Sequence, residues 1–131
     1  MLYLDQPNVQ IYYNRVLNCT IHTWKGYFLE EEYRSGMNRC LELMTETGAR
    51  SLIVNVQAAR HEYWLENGWT ALEWFPGLTH TELQKLAVVV NTQQFSSANL
   101  FFYPVDNERF IVSRYFERLD DAQEWIAHHG M

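Results

Sequence analysis

Two runs in the chain, Leu52-Ile53-Val54 and Leu86-Ala87-Val88-Val89-Val90, are apolar without alternation. A strand with one wet face alternates apolar and polar residues, whereas a strand covered on both faces does not. Such runs are expected at the parallel centre of a sheet with helices on either side. Consecutive parallel strands also need a crossover between them, and residues 63–75 carry helical spacing in the interval, with Pro76-Gly77 as the expected stop.

The remaining patterns build outward from that centre. Val9, Ile11 and Tyr13 alternate, as do Leu17, Cys19, Ile21 and Thr23, with Asn14-Arg15 between them, which reads as an antiparallel hairpin. From Leu29 the period becomes helical through Tyr33, Met37, Cys40, Leu41 and Met44, and Gly48 supplies the stop. Arg109 to Phe116 is β-rich, and Asp120 is placed to cap a last helix with Gln123 closing a capping box. Residues 91–104 fit a short helix through Phe95, Ala98 and Phe102. The expected order is three strands, then helix, strand, helix, strand, a variable segment, strand and helix. That order predicts one α/β domain over residues 1–131, built on a mixed β-sheet with an antiparallel N-terminal hairpin, parallel central strands and flanking helices.

Composition narrows the function classes. The 131 residues suffice for a single core, and 47% hydrophobic with 20% charged residues is globular rather than disordered. A formal net charge of −6 gives no basic field for a phosphate backbone, so no nucleic acid partner is expected. No stretch reaches the length of a membrane span, and the first residues lack a signal-peptide pattern, so the expected location is cytoplasmic. Cys19 and Cys40, the two cysteines, stand in no metal-binding spacing and are expected as buried thiols.

The succession of a Trp24-Lys25-Gly26 closing the hairpin, a helix, "SLIVNV" from Ser51, a Trp-rich helix ending in Pro76, "KLAVVV" from Lys85 and a terminal "LDDAQEWI" from Leu119 resembles the STAS/SpoIIAA-like family, the fold of bacterial anti-sigma-factor antagonists, and in particular its stand-alone members. The resemblance covers roughly residues 9–128 and rests on the order of elements. It implies a bacterial signalling domain that works by protein binding. In the antagonist branch, a serine after the central strand is phosphorylated to switch partners. Here that stretch reads Gln57-Ala58-Ala59-Arg60-His61-Glu62, with no hydroxyl between Ser51 and Tyr63. The phosphoserine switch therefore does not carry over at that position.

His61-Glu62 is the most chemical pair in the chain, in a strand-to-helix loop where α/β folds place ligands. A zinc HExxH motif would need His at position 65, which is Leu65, and adjacent helical residues diverge by about 100°, too far to act as a dyad on one atom. Glu62 suits the positive end of a helix dipole. No nucleophile elbow or phosphate-binding glycine loop is present in the sequence, so no catalytic residues, metal or cofactors are expected. On the Trp-rich helix, Trp64, Leu65, Trp69, Leu72 and Phe75 fall in one band, while Trp74 projects opposite with Asn67 and Thr70. Trp74 reads either as a contact surface or as a core aromatic swung inward before Pro76.

The leading expectation is a non-enzymatic binding domain with a protein partner or a homodimer. It would act through Arg60, His61, Glu62, the outer side of the 63–75 helix with Trp74, and Phe101 and Tyr103 of the variable segment. The alternative is a carrier of a small apolar ligand or lipid, with Phe95, Phe101, Phe102 and Tyr103 lining a cleft.

Overall fold

The computed structural model describes residues 2–60, 69–91, 100–105 and 109–128, apart from the side chains of Ala71 and of residues 100–103. Seven strands form one mixed sheet in the order β1-β2-β3-β4-β5-β7-β6. These are β1 (Leu2–Gln6), β2 (Val9–Asn14), β3 (Cys19–Gly26), β4 (Ser51–Ala59), β5 (Lys85–Val89), β6 (Leu100–Pro104) and β7 (Phe110–Phe116). β1, β2 and β3 are antiparallel, β3 through β5 to β7 run parallel, and β6 returns antiparallel along β7. The hairpin and the parallel centre stand where the alternating and unbroken apolar runs place them.

Helix α1 (Glu30–Thr47) and the irregular helix over 70–80 cover one face of the sheet, and α2 (Leu119–Ala127) covers part of the other. α1 buries Tyr33, Met37, Cys40, Leu43 and Met44 and ends at Gly48, whose left-handed φ of 66° turns the chain while its amide bonds the Met44 carbonyl. α2 packs Ala122, Trp125 and Ile126 against Ile53, Ala87, Val89 and Val112. Lys85 Nζ donates to the carbonyls of Trp125 and His128, at 3.0 and 2.8 Å, satisfying acceptors at the end of α2 that have no partner within the helix.

Four expectations are corrected. Residues 100–104 form an edge strand rather than part of a helix: Phe101 pairs with Ser113 and Tyr103 with Ile111. α2 begins at Leu119, so Asp120 lies inside its first turn and Arg118 is the cap residue, with no side-chain cap bond. β4 is longer than its apolar core, because β3 pairs with it as far as Gly26 against Ala59 and the Asn91 side chain donates to the Gln57 carbonyl beyond the end of β5. Gln57 to Ala59 are thus strand, and the loop starts at Arg60. Pro76-Gly77 does not stop the helix that precedes it: residues 70–74 form a π turn and residues 75–80 a 3-10 helix running through the proline.

Helix α1 approaches β3 closely at Gly36. A Cβ at Gly36 would stand 2.5 Å from Trp24 Cη2, so only glycine admits the indole there. Gly36→Ala should therefore lower stability by roughly 1–3 kcal/mol, although alanine gains about 1 kcal/mol in helix propensity. Urea denaturation checks it; a stabilised variant would mean that α1 does not sit on Trp24.

Candidate functional site

The inner face of β3 carries Thr20, His22 and Trp24, two residues apart and so on one side of the strand. They are 1%, 0% and 1% exposed. Among the described residues, the Thr20 hydroxyl, both His22 nitrogens and the Trp24 indole nitrogen find no hydrogen-bond partner. A buried polar group left without a partner costs about 1–3 kcal/mol. The row is therefore the most expensive arrangement on this face, where the neighbouring core is aliphatic and aromatic. Burial drives the His22 pKa down to about 3, so the imidazole is neutral at ordinary pH. Its ring lies 5.0 Å from that of Trp24.

An aromatic train continues from that row toward the surface. Trp24 contacts Phe28 and Tyr33, at ring separations of 4.7 and 5.5 Å, and Tyr33 meets Trp69 edge-on at 5.9 Å. The Tyr33 and Thr70 hydroxyls share a buried hydrogen bond of 2.6 Å, and the Arg34 guanidinium lies over Trp69. Outside this train, at the α1 N-terminus and on the π turn, Tyr27, Leu29 and Leu72 are 77%, 68% and 77% exposed. The Leu29 amide donates to Glu32 Oε1 and starts α1, which leaves the leucine side chain outside the helix at its cap position.

The thiols do not form a reactive centre. Burial pushes Cys19 up to about 12, partly offset by a backbone bond at Ile53, and pushes Cys40 up further, with Cys19 adding to the effect. Both are held as neutral thiols, which are poor nucleophiles. Among the described residues, no three His, Cys, Asp or Glu side chains gather as metal ligands.

Of the residues singled out in the sequence, Arg60 is exposed and its amide donates to the Gly26 carbonyl at 2.9 Å, pinning the loop to the end of β3. His61 and Glu62 lie outside the described residues. Phe101 and Tyr103 stand on the edge strand β6; their side chains, and residue 95 with them, are also outside what is described, so the aromatic cleft of the carrier reading is not on view. Trp74 takes the inward of its two readings and not the contact-surface one: it is 3% exposed, and its indole nitrogen donates to the Met37 carbonyl at 2.7 Å. The π turn adds a residue per turn and rotates position 74 inward relative to an α-helical wheel. Trp69, expected in the core band, is half-buried at the rim instead.

His22 belongs to no catalytic or metal motif in the sequence. The signal that locates it is its place on the alternating inner face of β3. Leu29 was assigned to the helix stripe, and its exposure follows from being the cap residue.

Compared with family models, curated proteins and solved structures, the chain finds no match. What fold and geometry define is the class: a single-sheet α/β protein in which strand β3 buries a polar row and in which Tyr27, Leu29 and Leu72 are exposed near α1 and on the π turn, alongside Leu2, Tyr12, Val16 and Phe110 on the strands and their turn. No helix among the described residues is long and apolar enough to cross a membrane.

Two measurements follow from this geometry. Trp74→Ala should cost roughly 3–5 kcal/mol and Trp69→Ala clearly less, the reverse of the order an α-helical wheel implies; denaturation of both variants decides it. His22 has a folded pKa below its unfolded value of about 6.5, so between these values the unfolded chain binds the proton and the folded one does not. Stability should fall as pH drops from about 6.5 toward 3, by up to about 1.4 kcal/mol per unit, and change no further from this group below that. His22→Leu should be neutral or stabilising at neutral pH and flatten the slope. A loss above about 2 kcal/mol would mean the imidazole is hydrogen-bonded.

Proposed function

We propose that the chain is a non-enzymatic regulatory domain of STAS/SpoIIAA-like type that acts by binding another protein, without the phosphoserine switch of the antagonist branch. The observation that carries this reading is the exposure of Tyr27, Leu29 and Leu72 beside the Tyr33–Trp69 contact. Apolar side chains at that level of exposure gain burial only when another surface covers them, as a contact site does. The chemical inventory supports the same direction. The two thiols and His22 are sequestered in neutral form, which suits packing rather than proton or acyl transfer. The mixed sheet with its antiparallel opening and parallel centre is compatible with the family resemblance of the sequence. The position that the antagonist branch phosphorylates would fall after β4. Of the two hydroxyls flanking that stretch, Ser51 sits buried at the opposite end of the strand.

The test is a pair of charge substitutions, Leu29→Asp and Leu72→Asp. Both should leave thermal stability within about 1 kcal/mol of the parent, since neither side chain is part of the core. Self-association by analytical ultracentrifugation, or capture of host proteins by the immobilised chain, should fall sharply in the double variant. Unchanged association and capture would remove this surface from the account, and turnover of a substrate by the purified protein would replace the reading with an enzymatic one.

A further inference from the structure

The last strand on the hairpin side, β1, has β2 on its inner side and no strand among the described residues on its outer side. A strand edge presents backbone donors and acceptors in a row, a template for a further strand. Its register slips between Leu2 and Leu4, which blunts one end, while Leu4 through Gln6 pair regularly with Ile11 through Val9 and leave a straight edge. Between β1 and α1 the surface is indented rather than filled. The step between them is a groove of about 370 Å³, with Leu4 and Gln6 on the strand side and Glu31, Glu32 and Ser35 on the helix side.

Charge decides what the groove accepts. The arginines of α1 are engaged by glutamates of their own helix: Arg34 pairs with Glu30 at 3.0 Å, and Arg39, at the far end of the groove, pairs with Glu42 at 2.7 Å and reaches Glu46 at 3.8 Å. Glu32 is held by neutral donors, the Leu29 amide and the Asn8 side chain, so its charge is not cancelled. Asp5 on β1 likewise accepts from the neutral Gln10 side chain. The carboxylates of Asp5, Glu31 and Glu32 thus flank one edge on a chain of net charge −6. A second copy pairing β1 to β1 would bring two such sets together, which like-charge repulsion opposes.

We propose that β1 accepts an extended segment of a partner protein rich in lysine or arginine, added as an eighth strand, with basic side chains laid along Glu31 and Glu32. Main-chain bonds to the edge supply affinity independent of sequence, and the groove selects for positive charge. The inference rests on the protein-binding reading above but uses a different surface, so the Leu29 and Leu72 substitutions and the experiment below can fail separately.

The probe is a fluorescein-labelled alternating Lys-Val heptapeptide, compared by anisotropy with a Glu-Val peptide and with a Lys-Gly peptide of equal charge and poor strand propensity. The Lys-Val peptide should bind, the Glu-Val peptide should not, and the Lys-Gly peptide should bind at least about tenfold more weakly. Glu31→Lys should weaken the Lys-Val peptide by about fivefold or more at low salt with the melting temperature unchanged, and amide shifts on binding should concentrate at Leu4–Gln6. Equal binding of the Lys-Val and Lys-Gly peptides, an unchanged affinity in Glu31→Lys, amide shifts centred elsewhere, or dimerisation through β1 would each overturn the proposal.

Discussion

The contact of α1 with the inner face of β3 is the constraint on which the other parts depend. Gly36 sets the distance, because the Trp24 indole fills the space a Cβ would need. Thr20 and His22 share the strand face of Trp24 and are buried with it, and α1 supplies the Met37 carbonyl that receives the Trp74 indole. The irregular helix is thereby tied to α1 at three levels: Thr70 to Tyr33, Trp74 to Met37, and Gly77 against Leu41. The two crossover elements pack as one layer over the parallel centre. On the far side of the irregular helix, Arg109 donates to the carbonyls of Thr79, Thr81 and Leu83, fastening the approach to β5 onto the start of β7.

How much of this was legible in the sequence depended on the range of the interaction responsible. The parallel centre was legible because burial on both faces writes itself directly into Leu52 to Val54 and Leu86 to Val90. Gly48 was legible because a left-handed residue at a helix end is a local requirement. The phase of residues 69–80 was not, since an α-helical wheel assumes an α-helical period. The π turn that breaks that period brings the Trp74 indole to a carbonyl on another helix, 37 positions away. The strand at 100–104 escaped for a related reason: Phe101, Phe102 and Tyr103 are good strand formers whose partner, β7, comes later in the chain. Gln57 to Ala59 read as loop because the apolar core of β4 is shorter than the strand itself. Leu29 and Leu72 were assigned inward by periodicity alone.

Cys19, Cys40 and His22 are buried and held in their neutral forms, and the Thr20, His22 and Trp24 row on β3 costs stability. A core that tolerates this has strong packing around it, which the aromatic train from Trp24 to Trp69 provides. Near the end of the train Tyr27, Leu29 and Leu72 stand exposed, and on the hairpin side β1 has no further strand beside it among the described residues. These two features lie on different elements.

The burial of β3 beneath α1 is tested most directly by the 15N chemical shifts of the His22 imidazole in the folded protein, followed from about pH 8 downward. The account predicts a neutral ring with no titration until the protein itself begins to unfold in acid. A ring that titrates near its ordinary value of about 6.5 while the fold stays intact would contradict it, and would mean that the inner face of β3 is open to water.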